Sequence, residues 1–161
     1  MDRVTTHNIE ERLVRVQLDS ITLEGNLTIP ENAKGIVLFA HGSGSSRHSP
    51  RNRFVAQILH QGDLATLLID LLTRREEMID MQTRHLRFNI DLLAGRLDGA
   101  TDWLLQQPET RDLNIGYFGA STGAAAALIA AAEQPNVVKL AGLLSTESIY
   151  QELFRNRANG L

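Results

Sequence analysis

The stretch Ile115-Gly116-Tyr117-Phe118-Gly119-Ala120-Ser121-Thr122-Gly123 decides the fold. It joins a short apolar run to Gly-x-Ser-x-Gly, and an alanine-rich segment, Ala124 to Ala132, follows at once. Strand, tight turn and helix in that order is the setting in which a serine is forced onto a sharp elbow, its hydroxyl exposed above a sheet. The flanking glycines suit a turn in which the backbones of strand and helix approach too closely for a Cβ. The helix N-terminus supplies amide N–H groups and the positive end of a dipole, which favour negative charge developing beside Ser121. The competing reading is a plain strand–helix turn with Ser121 as its N-cap, since serine is favoured there. In the first reading the helper groups follow the serine, the acid first and then a histidine. After Ser121 this chain has no histidine and no aspartate.

Working outward, the same strand–helix alternation continues upstream. Gly35 to Ala40 is a continuous apolar run, which suits a strand covered on both faces, and Leu64 to Leu71 is another buried strand. Pro50 opens a helix to about His60, with Phe54, Val55, Ile58 and Leu59 expected on its inner face. Leu86, Ile90, Leu93, Leu97, Ala100 and Leu104 recur at helical steps and predict a long helix ending before Pro108. Leu113 to Phe118 is a strand, Thr122 to Glu133 a helix and Val137 to Leu144 the last strand. At the start of the chain, Leu13 to Leu18 and the alternating run Ile21 to Ile29 flank Asp19-Ser20, which predicts an antiparallel hairpin. Residues 73–87 are crowded with charge and interleaved with Met78, Ile79 and Met81, and read as a mobile loop or short helix, a candidate lid. All four prolines fall at element boundaries. The order implies an α/β fold with a mostly parallel sheet and helices on both faces, three layers in all.

Composition narrows the class. A chain of 161 residues, 43% hydrophobic and 22% charged, suits one globular domain able to bury a core. A net charge of −3 argues against a nucleic-acid surface. The absence of cysteine removes thiol catalysis, disulfides and cysteine-ligated zinc. No apolar run approaches the roughly 18 residues of a membrane span, and the first residues lack a signal-peptide core, so a cytoplasmic location is expected. Nothing in the sequence calls for a metal or cofactor.

Two further groups of residues point to a site. The loop after the third strand reads His41-Gly42-Ser43-Gly44-Ser45-Ser46. In a hydrolase a loop here donates a backbone N–H to an oxyanion hole, together with the residue after the nucleophile; those residues are Ser43 and Thr122. A phosphate-cradling loop is the rival, but the loop has neither the spacing nor the lysine of that motif. His41 reads as shaping the loop rather than as a base. Next come Arg47, His48, Arg51 and Arg53, beyond the carboxyl end of a strand, where ligands of open α/β sheets sit. They grip an anion in one reading and form a solvated basic loop in the other. The candidate binding set is therefore His41, Gly42, Gly44, Arg47, His48 and Arg51, for a small ester, lactone or anionic ligand.

On these residues the chain resembles the α/β-hydrolase superfamily and, within it, the dienelactone-hydrolase-like group. The run His41 to Asn52 is closely similar to a small bacterial subgroup of that kind, sometimes fused to phosphoribosyltransferase-like domains. Leu68 to Thr73, Leu86 to Trp103 and Gly116 to Gly123 fit it too, so the resemblance runs from about residue 10 to 140. It implies Ser121 as nucleophile, an oxyanion hole at Ser43 and Thr122, and hydrolysis of a carboxylic ester or lactone through an acyl-serine. The family continues after the sixth strand through two β-α units that carry the acid and the histidine, each unit needing roughly 30 residues. Only the seventeen residues Ser145 to Leu161 remain here, with Glu147 and Glu152 as their acids. The expectation is a single domain lacking the last two strands, with residues 1–11 as an extension and 145–161 as an atypical tail. Such a chain is expected to be weak or inactive alone, or to serve as a non-catalytic anion-binding module. It is equally expected to pair along Val137 to Leu144 with a second copy or a complementing chain, since that apolar strand loses its neighbour.

Overall fold

The computed structural model describes residues 9–42 and 44–143, and for 138–143 the backbone alone. Six strands form one sheet in the order β1-β2-β4-β3-β5-β6. The strands are β1 (Glu11–Leu18), β2 (Ile21–Thr28), β3 (Gly35–Ala40), β4 (Leu64–Ile69), β5 (Asn114–Gly119) and β6 (Val138–Leu143). The helices are α1 (Pro50–Gln61), α2 (Arg74–Thr83), α3 (Ile90–Gln106) and α4 (Thr122–Glu133), with a 3-10 turn at Leu86–Phe88. β1 and β2 pair antiparallel, β2 runs antiparallel to β4, and β3 to β6 pair parallel throughout. The predicted hairpin therefore sits at one edge. Its outer strand is mostly exposed and carries Glu11, Arg12 and Arg15, charges that discourage pairing with another edge.

Period-2 alternation sorts the strand residues between two cores. Leu38 and Ala40 of β3, Leu67 and Ile69 of β4 and Tyr117 of β5 face α3 and α4, which contribute Leu93, Leu97, Leu104, Ala126, Ala127 and Ala130. Their neighbours Phe39, Leu68 and Phe118 face the other way, against Val55 and Ala56 of α1. The rings of Phe39 and Phe118 stand with centroids 5.0 Å apart. This gives the three expected layers. The alanines of α4 let that helix lie close on the sheet.

Some boundaries differ from the sequence expectation, each for a local reason. α3 begins at Ile90 because Asn89 caps it, its side chain accepting the Leu92 N–H at 3.1 Å, and Leu86 falls in the preceding 3-10 turn. On α1 the buried positions are Asn52, Val55 and Ala56, while Phe54 is 49% exposed. The inner stripe follows i, i+3, i+4, which excludes 54. β4 stops at Ile69; the Asp70 N–H still donates to the Glu24 carbonyl at 3.0 Å, and the Leu71 N–H turns to a side chain described below. Of the two readings of the charged segment, loop or short helix, residues 74–83 form the helix. Thr73 and Glu76 make a capping box, with the Glu76 N–H donating to Thr73 Oγ1 at 3.2 Å and the Thr73 N–H to Glu76 Oε2 at 2.8 Å. β6 ends the strand order among the described residues, and the acids Glu147 and Glu152 with the rest of 144–161 lie outside them.

The packing of α3 on α4 carries a pH dependence. Asp98 of α3 is pushed up to about 7, by burial first and then by the Glu133 carboxyl on α4, while Gln134 donates to its Oδ1 at 3.2 Å. The folded state thus holds this proton more tightly than the unfolded chain, whose aspartate titrates near its ordinary 3.8. Stability from this group is full below about pH 4 and is lost as pH rises toward 7. Asp98→Asn should therefore raise the urea midpoint relative to the parent at pH 8 and leave the difference small below about pH 4. A parent protein equally stable at both pH values relative to the variant would rule the effect out.

Candidate active site

Ser121 sits between β5 and α4 with φ 56° and ψ −128°, a conformation that few non-glycine residues adopt. Its own carbonyl accepts the Ala124 N–H at 3.0 Å, and Ala120 accepts the Gly123 N–H at 3.1 Å, which closes the turn. Ser121 forms no side-chain cap with the helix, so the N-cap reading does not describe its hydroxyl. The residue is exposed. Glycine is required on both sides. A Cβ on Gly123 would lie 2.1 Å from the Ala40 carbonyl oxygen, and one on Gly119 would lie 2.6 Å from that of Gly123. A Cβ on Gly42 would meet Ser121 Cβ at 3.2 Å, so the loop after β3 lies directly against the serine turn. Thr122 opens α4, where the first amides have no partner within the helix. Its Oγ1 is buried without a hydrogen-bond partner.

Beside this turn opens a cleft of about 730 Å³. His41, Gly42, Gly44, His48 and Thr122 line it from the strand ends, and Glu77, Asp80, Met81 and Arg87 line it from α2 and the segment after it. Ser43 lies outside the described residues. His41 is fixed as a structural group. Its Nε2 accepts the Leu71 N–H at 3.0 Å, so that nitrogen is unprotonated, and its Nδ1 then carries the proton toward the Gly42 carbonyl, also at 3.0 Å. The ring ties the ends of β3 and β4 together and has no nitrogen left to accept a proton from a substrate or from Ser121.

Arg47 does not line this cleft and is tied into the scaffold. Its guanidinium pairs with the Asp70 carboxylate, its Nε donates to Asn26 Oδ1 at 2.8 Å, and its Nη2 lies 3.4 Å from Glu24. Its backbone N–H adds a bond of 2.7 Å to Asp70. Just past β4 the Asp70 side chain thus holds Arg47 while its N–H stays on the Glu24 carbonyl at 3.0 Å, and the Leu71 N–H turns to His41. Arg47 and His48 do border a neighbouring hollow of about 520 Å³ with Arg74, Arg75 and Glu77. Arg51 is exposed on α1 and lines neither hollow, and Arg53 pairs with Glu11 at 3.0 Å.

The ion pairs that anchor α2 beside the cleft were not legible in the sequence. The lone cation on the inner face of α3, Arg96, binds both oxygens of Glu76, at 2.9 and 2.6 Å, and anchors the helix start. Asp80 anchors its end, accepting from Arg87 Nε at 2.6 Å and from the Arg87 N–H at 3.1 Å. Arg87 Nη1 is thereby held over the glycine-rich loop, 3.8 Å from where a Cβ on Gly44 would sit. Glu77 faces the cleft, its carboxyl raised above the ordinary range by burial and then by Asp70, against the opposing pull of His41, Arg47 and Arg74. The signal available in the sequence was the Thr73-x-x-Glu76 pair, a helix start that the surrounding charge obscured. Among the described residues no group of three or more His, Asp or Glu is placed to hold a metal ion, and no helix is long and apolar enough to cross a membrane.

Comparison with known proteins places this geometry. The crystal structure of a dienelactone hydrolase from Anabaena variabilis is 62% identical, with a TM-score of 0.84 over 85% of this chain and 63% of that one. The chain has the α/β-hydrolase fold of the dienelactone-hydrolase-like group. The esterase Est1E of Butyrivibrio proteoclasticus, 17% identical, has the same fold at a TM-score of 0.66 over 80% of this chain and 49% of that one. So does a metagenomic dienelactone hydrolase-like phosphotriesterase, 15% identical, again at 0.66 over 84% and 59%. Among curated relatives, a Mycobacterium tuberculosis protein provisionally named a phosphoribosyl transferase is 51% identical over 133 residues. That match covers 83% of this dienelactone-hydrolase-like chain and 29% of the relative, in keeping with the fused-domain resemblance noted above. The chain thus spans under two thirds of each of these relatives. No protein-family model matches it.

Proposed function

We propose that the chain carries the nucleophile and the oxyanion machinery of a serine hydrolase acting on a carboxylic ester or lactone. The observation that carries this is Ser121, held at φ 56° and ψ −128° beside the open cleft. Strain at a glycine-flanked serine above parallel strand ends serves to present a nucleophile, and has no evident value for stability. In this reading the Ser121 Oγ attacks the carbonyl carbon, and the amides of Thr122 and Ser43 stabilise the resulting oxyanion. The serine must lose its proton to a base. His41 cannot take it, because its Nε2 already accepts the Leu71 N–H. Acylation therefore needs another base, either His48, which lines the same cleft, or a histidine outside the described residues, in a longer protein or a complementing chain.

The 161-residue chain should hydrolyse a p-nitrophenyl ester slowly, and Ser121→Ala should abolish that turnover. Without a base to take its proton, the Ser121 hydroxyl attacks slowly. Fluorophosphonate labelling of Ser121 should be slow for the same reason. Turnover that survives Ser121→Ala would remove the assignment. The second reading, an anion-binding module, is favoured by the Arg87 Nη1 held at the cleft rim. It predicts no Ser121-dependent turnover, and a melting temperature raised by sulfate or a carboxylate and insensitive to Ser121→Ala.

A further inference from the structure

Helix α2 is amphipathic in the reverse sense. A helix packed on a globular domain ordinarily turns its apolar residues inward and its charges out. Here the inward residues are the acids: Glu76 bound to Arg96, Asp80 bound to Arg87 and only 4% exposed, and Glu77 at the cleft. The outward residues include Met78, Ile79 and Met81, which are 69%, 47% and 75% exposed. Arg74, which also lies 3.7 Å from Glu24, and Arg75 precede them and Arg84 follows, all exposed. Two charge-paired anchors thus spend the helix's acids internally and leave an outer face of apolar and cationic side chains.

We propose that the outer face of α2 adsorbs to the surface of an anionic lipid aggregate, so that the cleft opens at that surface. Three features select this partner. First, the apolar side chains stand on a convex helix rather than lining a groove, so the partner must deform around them, as the headgroup region of a lipid layer does. Methionine, flexible and polarisable, suits such a disordered phase. Second, the outward charges of α2 are all arginines, since its acids are turned in. A second copy of this chain would oppose arginine to arginine, whereas an anionic surface attracts each of them. Third, Met81 also lines the cleft beside Thr122, so an ester dissolved in the lipid would meet the site without crossing water. The adsorption stands whether or not Ser121 is catalytic.

The test is co-flotation of the 161-residue chain with vesicles of phosphatidylcholine alone and of phosphatidylcholine mixed with phosphatidylglycerol. Binding is expected on the mixed vesicles, weaker by on the order of tenfold on the neutral ones, and falling with added salt. Met78→Ser with Ile79→Ser should lower binding on the order of tenfold, because each removes apolar area from the interface. Arg75→Gln with Arg84→Asn should do the same at low salt; asparagine tolerates the φ of 55° at position 84. These side chains are exposed, so both variants should melt with the parent, and a change in partitioning then reports the surface. Equal partitioning of parent and variants, equal binding to neutral and anionic vesicles, or a homodimer that Met78→Ser and Ile79→Ser dissolve would each overturn the proposal.

Discussion

Gly123→Ala is expected to destabilise the protein by more than about 3 kcal/mol, the far end of what overpacking costs. The added Cβ would stand 2.1 Å from the Ala40 carbonyl oxygen, 2.6 Å from that of His41 and 2.7 Å from the Ala40 carbonyl carbon. All three are backbone atoms of the central strand β3 and its exit, so no side chain can rotate away. Relief requires α4 to lift from the sheet, which opens the contact between its alanines and the β3 and β5 residues of the larger core. Urea unfolding should show a much lower midpoint, or the variant should fail to accumulate in folded form. The control is Gly95→Ala on α3, where a Cβ meets nothing within 4 Å. That substitution should stabilise by about 0.5–1 kcal/mol, the helix-propensity difference between the two residues. Equal midpoints for the two variants would show that α4 does not approach β3 as described.

Arg47→Ala should cost about 3–5 kcal/mol, the range for breaking a buried ion pair from one side. Arg47 and Asp70 side chains are 11% and 12% exposed. Without the guanidinium, Asp70 keeps one backbone N–H and otherwise stands as a shielded, uncompensated carboxylate, and Asn26 loses its donor. The same loss unfastens the loop that carries Gly42 and Gly44 to the serine turn, so esterase activity should fall together with stability. Replacing both partners, Arg47→Met with Asp70→Leu, should recover a large part of the lost stability, because the shielded Asp70 charge is then gone and Glu24, 28% exposed, keeps Arg74 at 3.7 Å. Denaturant midpoints of the two variants decide the matter. If Arg47→Ala matches the parent in stability and loses only anion affinity, the arginine is a ligand after all.

These two residues show where sequence reasoning carries and where it stops. The Gly-x-Ser-x-Gly turn was legible because every constraint on it is local. An apolar strand, two glycines and a helix former fix the bend within nine residues, and the strained φ of Ser121 follows from that bend. The alternation of apolar runs and helical periods likewise announced the parallel sheet, since each strand and helix buries its own face. Arg47 misled because a charged side chain in a glycine-rich loop looks the same whether it awaits a ligand or an internal acid. Asp70 is twenty-three positions away, and nothing local marks it except that it is a lone acid closing an apolar run.

The chain by itself determined the hairpin, the three layers, the serine turn and the family resemblance, all of which rest on periodicity and on residues adjacent in sequence. Only the tertiary structure decided the tautomer of His41, the burial of Arg47 with Asp70 and the inverted face of α2. Each of these depends on a partner brought close by the sheet order β2-β4-β3 or by the packing of α2 against Arg96 of α3. A charged or titratable side chain has no fixed role until its counter-charge and its desolvation are known. Both are properties of position in space, which the spacing of residues along the chain does not encode.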